Sequence, residues 1–342
     1  MVDLETRVAA VAPGRRVPAS RIVVVGMLLA GWLGVLLSRW WTGTEYTPAP
    51  FGLPDPGLLT SVTMPLARYL QEIAGVAVVG LLFVRCIALH GQSGTAGQHL
   101  LEMAARWAWL GVAGTMAWIV ATASDLTGVP ILDVLGQADL LWAVAGTDRV
   151  LAEMGTLWIA LAVALFAARL RGTPAQLIAL LAATAALLPS ALSGHAGHHE
   201  SPVVAMAALA VHLVAAAVWV GGLLALVVHL RHYPEQLRVA LPRFSTAALI
   251  CVVAVGLSGI VESVITLQTW NALWNTDRGL LIIAKAVALA VLAAIGYLHR
   301  RRTLGPAASG RLLPLLGLAA GELIIMSATI GIAVALSSTA FA

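Results

Sequence analysis

The chain has 342 residues, of which 60% are hydrophobic and 11% charged, and its mean hydropathy is +0.92. Soluble domains carry about 25% charged residues, so an ordinary soluble fold is excluded and a multi-pass protein embedded in the lipid bilayer is expected. The formal charge of +4 and pI near 9.6 do not point to nucleic acid, because the basic residues fall in short clusters between apolar runs, as membrane orientation signals do.

Taken in order, nine apolar runs each come near the ~20 residues that a spanning helix needs. They lie at about 22–38, 65–89, 101–122, 150–170, 174–193, 202–229, 244–267, 279–298 and 312–337. The expected fold is therefore all-α, a polytopic membrane helix bundle. The first run begins only at Ile22, behind a charged leader and with no small-residue cleavage site after it, so no cleavable signal peptide is expected.

Arginine placement sets the orientation. Arg7, Arg15, Arg16 and Arg21 precede the first run, and Arg85/Arg106, Arg169/Arg171, Arg231/Arg238/Arg243 and Arg300/Arg301/Arg302/Arg311 fill every second loop. The opposite loops hold only Arg39, Arg149 and Arg278. By the positive-inside rule the N-terminus is cytoplasmic and the C-terminus outside. Loop 42–63, rich in Pro and Gly, is expected to be irregular, with Trp40 and Trp41 at the membrane edge. Loop 123–149 carries Asp125, Asp133, Asp139 and Asp148 around an apolar stretch that suits an interfacial helix. Residues 1–150 form an N-terminal group of three spans with their outer loops and 151–342 a group of six, packed as one bundle.

The residues that carry chemistry concentrate at 193–222, SGHAGHHESPVVAMAALAVHLVAAAVWVGG. His195, His198 and His199 fall in an outer loop, and Met206 and His212 in the helix after it. Imidazole binds Cu, Zn, Fe and Ni, and a thioether biases a site towards Cu(I). A histidine-rich loop alone is as often polar filler, but an ionisable residue inside a spanning helix is a functional candidate by default. His212, Ala215, Ala216, Trp219 and Gly222 share one helix face, and the small residues there permit close packing, which turns His212 into the bundle. Lys285, Glu322 and Glu262 also occur inside apolar runs and must face the interior; Lys285 is expected to pair with Glu322, and Arg68 with Glu72 at i, i+4. The two cysteines, Cys86 and Cys251, make no disulfide framework.

The run SGHA at 193–196, VHLVAAAVWVGGLLAL at 211–226, RFS at 243–245, LLIIAKAVALAVL at 280–292 and Glu322 together resemble the CopD copper-resistance family, over about the last 160 residues. The resemblance implies an inner-membrane helical protein that moves copper, Cu(I) or Cu(II), from the outer side inward, not an enzyme, sometimes in support of copper-enzyme assembly. It also implies an extracytoplasmic copper chaperone and a cytochrome oxidase assembly factor as partners. On that reading His195, His198, His199 and Met206 capture the ion, His212 passes it inward, and Glu262, Lys285, Glu322 and Trp219 line the path. The alternative is electron transfer through a b-type haem, which needs two axial ligands at matching depth on facing helices.

Overall fold

The computed structural model describes residues 19–50, 52–92, 94–189, 202–267, 269–303 and 313–338. Among them the regular structure is entirely helical. Eight helices are long and apolar enough to cross a membrane, and they correspond to eight of the nine apolar runs. The remaining run is represented by the 13-residue helix Thr173–Ala185 and the turn after it, while residues 190–193 and the loop histidines His195, His198 and His199 lie outside the described residues.

In chain order the helices are α1 (Ala19–Trp41), α2 (Gly57–Phe83), α3 (Thr95–Thr127), α4 (Ile131–Leu135), α5 (Ala138–Ala145), α6 (Asp148–Phe166), α7 (Thr173–Ala185), α8 (Pro202–Ala216), α9 (Pro234–Leu267), α10 (Trp270–Asn275), α11 (Asp277–Thr303) and α12 (Leu313–Ser338). Helix α2 ends in a π-helical turn, Val84–Ala88. Helix α8 runs on through two π-helical turns, Ala217–Gly221 and Ala225–His229, and a final 3-10 turn, Leu230–His232.

Two boundaries differ from the apolar runs. Helix α2 starts at Gly57 and α9 at Pro234, both about a span-third ahead of the apolar stretch, because backbone hydrogen bonding continues through polar residues that hydropathy does not count. The interfacial segment of loop 123–149 forms two short helices, α4 and α5, broken at Gly136–Gln137, and Trp142 on α5 is 79% exposed.

Helix α2 is the keel of the bundle. From Ala67 to Leu82 most of its side chains are buried, and it packs against α3, α7, α12, α1 and the first π-turn of α8. Small residues bring the backbones close enough for this. A Cβ on Gly80 or Gly221 would collide with the backbone of the facing helix, and one on Gly114 would press on the backbone of α2 at Gln71. Helices α1 and α12 pack the same way through Gly34 against Ala328 and Gly331 against Gly31. Where they meet α2, the Tyr69 hydroxyl lies 2.8 Å from Ser327 Oγ and donates to the Met27 carbonyl at 3.2 Å.

Helix α9 shows how the interior is separated from lipid. Leu249, Val253, Leu257, Ile260 and Val264 form an exposed apolar stripe, while Cys251, Val255 and Ser258 are buried on the opposite face and Glu262 is half-buried there. An apolar surface of this extent would be a liability in water and is the required surface in a bilayer.

Candidate functional site

Helices α8 and α9 cross where His212 meets Ser258. His212 Nδ1 lies 3.2 Å from Ser258 Oγ, and the same hydroxyl is 2.6 Å from the Ala254 carbonyl of its own helix. A serine hydroxyl has one proton, and the shorter contact takes it, so Oγ accepts from Nδ1–H. This network assigns the lone pair of the neutral imidazole to Nε2, the nitrogen left for a ligand. Gly259 lies beside the ring, where a Cβ would stand in ordinary contact with His212 Cε1 at 3.8 Å.

Two charges converge on the same imidazole. Lys285 of α11 and Glu262 of α9 both lie close enough to His212 to act on it electrostatically. Three helices therefore bring a base, an acid and an imidazole together inside the bundle, with no contribution from sequence neighbours. Trp219, two turns further along the same face, is buried in the first π-turn. Met206 is placed differently: six residues before His212, it points about 120° away around the helix axis. Glu322 is buried on α12. Among the described residues no three of His, Cys, Asp and Glu are grouped so as to hold a metal ion.

The expected Arg68–Glu72 pair is formed, at the other end of α2 from its π-turn, but it belongs to a larger charged assembly that sequence reasoning missed. Arg68 donates through Nη1 to Glu153 Oε1 at 2.7 Å and lies 3.2 Å, through Nε, from Glu72. Gln71 Nε2 donates to the other oxygen of Glu153, which is fully buried. Two guanidinium groups lie over the Trp118 ring, Arg68 at 5.8 Å and Arg149 at 5.6 Å from its centroid. Beside it, a narrow cleft between α2, α3, α6 and α7 is lined by Gln71, Glu72, Thr115 and Thr156 together with apolar side chains. The signal was present, since Glu153 is an ionisable residue within an apolar run, as Lys285 is.

A third group escaped for lack of any local signal. At the arginine-rich end, His99 of α3 and His229 of the second π-turn of α8 have ring centroids 6.0 Å apart, and Tyr233 lies 5.6 Å from His99 on another side. Trp107 Nε1 donates to His229 Nε2 at 3.3 Å.

The two short motifs quoted from sequence have packing roles. Gly222 leaves the space that the Phe244 ring fills, and Arg243 Nη1 donates to the carbonyls of Ala88 and His90 at 3.1 and 3.0 Å, capping the open end of α2.

Residues 238–336 match the family model Copper resistance protein D, and residues 59–205 match Copper resistance protein D-like, N-terminal domain. The chain belongs to the copper resistance protein D family. The CopD match contains Arg243, Ser258, Glu262, Lys285 and Glu322, and the N-terminal match contains Arg68, His99, Glu153 and the histidines of the loop. The latter also covers much of the chain ahead of the last 160 residues, to which the sequence resemblance was confined. Met206, His212, Trp219 and His229 fall between the two matches. The copper transport protein CutJ of Bacillus subtilis (strain 168) is 32% identical over 124 residues, 34% of this chain and 23% of CutJ. The alignment thus spans under a quarter of that relative's length. No solved structure matches significantly.

Proposed function

We propose that this CopD-family chain binds copper on its histidine-loop side and passes it through the helix bundle across the cytoplasmic membrane. The observation that carries the reading is His212, an intramembrane imidazole oriented by Ser258 so that Nε2 is left for a ligand. His195, His198 and His199, aided by Met206, capture the ion from outside. His212 takes it at the α8–α9 crossing. Lys285 repels a second cation and Glu262 offsets the charge of the first, so the pair tunes how tightly His212 holds its ion. Trp219 lies below His212 on the same face, and Glu322, the expected partner of Lys285, lies further along the route.

Copper is the cargo here, and it serves uptake or the supply of copper enzymes, with an extracytoplasmic chaperone as donor and an oxidase assembly factor as recipient. The family assignment and the relative named for copper transport favour a transporter over an enzyme. The haem reading fits less well, because a b-type haem needs two axial histidines at matching depth and His212 Nδ1 meets Ser258. The deciding experiment is copper uptake into vesicles reconstituted with the purified chain, with and without His212→Ala. Equal uptake by the two proteins removes the intramembrane relay.

A further inference from the structure

We infer that His99 and His229 form a second copper(I) site, at the arginine-rich end of the bundle, from which the ion leaves. This deepens the reading above and rests on it.

The geometry comes from two helices that meet only in the folded bundle. The π-turn Ala225–His229 inserts an extra residue at the end of α8, and this sets the direction in which His229 points. Its ring faces His99 with centroids 6.0 Å apart at an interplanar angle of 56°. Two imidazoles at about that separation can bind one ion between them once a donor nitrogen of each turns toward the other, since two metal–nitrogen bonds of about 2.0 Å and the two ring radii together span it. Cu(I) accepts two nitrogen donors in a near-linear arrangement, so the pair does not need a third ligand.

The protonation is arranged for it. Trp107 donates its indole N–H to His229 Nε2, which marks that nitrogen as the one with the lone pair. The indole holds the ring in place while the site is empty and competes with the metal for the same electrons. Tight capture is undesirable at an exit, and this competition weakens it.

Exposure is graded along the group. His229 is buried, His99 is half-buried and His232, close enough to act electrostatically on both, is exposed at the end of the final 3-10 turn. The series leads from the interior of the bundle to water. Glu102 and Arg106, one turn or two along α3 from His99, also act on it with opposite charge, and Arg106 acts on His229 as well.

The test uses the purified full-length chain and Cu(I) titrated against a chromophoric chelator. The wild-type chain is expected to bind an equivalent of Cu(I) that His99→Asn/His229→Gln loses and His212→Ala keeps. Trp107→Phe removes the competing donor and is expected to bind that equivalent about fivefold tighter, the worth of one neutral hydrogen bond. Unchanged copper equivalents in the double variant overturn the inference while leaving the His212 reading standing. If the double variant does not fold, Trp107→Phe decides, and unchanged or weaker affinity overturns the inference. A wild-type chain that binds no copper overturns both readings.

Discussion

Arg68 and Glu153 are joined at 2.7 Å across 85 residues of chain, inside a bundle where Glu153 has no exposed surface. Removing one partner of such a pair leaves an uncompensated buried charge, at a cost of about 3–5 kcal/mol. Glu153→Ala is therefore expected to lower the unfolding temperature in detergent sharply, and Arg68→Leu/Glu153→Leu to restore much of it. Glu72→Ala, which leaves the Arg68–Glu153 pair intact, is expected to be milder. Equal losses in Glu72→Ala and Glu153→Ala would contradict this order.

Gly222 and Phe244 make a second pair that can be taken apart. A Cβ at Gly222 would strike the Phe244 ring, so Gly222→Ala is expected to destabilise by roughly 1–3 kcal/mol, as overpacking does. Shortening the opposing ring with Phe244→Leu should recover part of the loss in a double-mutant cycle. Strict additivity would mean that the two positions do not meet.

His212→Ala is expected to leave the fold intact, because Ala favours the helix and no buried carboxylate is orphaned by it. Copper passage should be lost. His198→Ala or His199→Ala alone should weaken capture only a few-fold, since neighbouring donors or water substitute for one exposed ligand. Copper accumulation measured in the three variants decides between a relay and a structural histidine.

The loop between α1 and α2 contributes a pH dependence with a definite sign. The Tyr46 hydroxyl donates to Asp55 Oδ2 at 2.7 Å and the Gly57 N–H to Oδ1 at 2.9 Å, which holds the Asp55 carboxyl below its ordinary value and raises that of Tyr46. A depressed acid stabilises the loop above its unfolded value, near 3.9, and loses that contribution as pH falls through the lower folded value. The raised phenol stabilises below about pH 10 and loses its contribution as pH rises through the higher folded value. Asp55→Asn should bring the ionisation of Tyr46 back down, read from phenolate absorbance. No change would mean that the bond is not formed in solution.

The arginine pattern also makes a topological prediction. A reporter fused near Pro306 should read as cytoplasmic and one after Ala342 as external. Matching behaviour at both points would remove the orientation on which the capture side is assigned.

Much of the fold was legible because lipid imposes a simple rule on residues that face it. Runs such as 244–267 report the apolar stripe of α9, and they miss its first turns because Pro234 to Arg243 lie where polar side chains are tolerated. Arg68 with Glu72 could be read from i, i+4 spacing, since both partners are on one helix. Glu153 could not be joined to them, because its position beside Arg68 depends on how α6 packs against α2 and α3. His212 was readable as an interior imidazole, but Ser258 was not readable as its partner, since serines on spanning helices commonly bond their own backbone. The group of His99 and His229 depends on a π-turn, which no residue pattern announces.

The position of α2 also has a consequence in time. It enters the membrane early, and the chain must grow by 85 residues past Arg68 before Glu153 exists, which at about 5–20 residues per second is several seconds of synthesis. Throughout that interval Arg68 has one carboxylate within reach on its own helix, Glu72 at 3.2 Å. The pair whose partners share one helix is thus the one that can form before Glu153 exists.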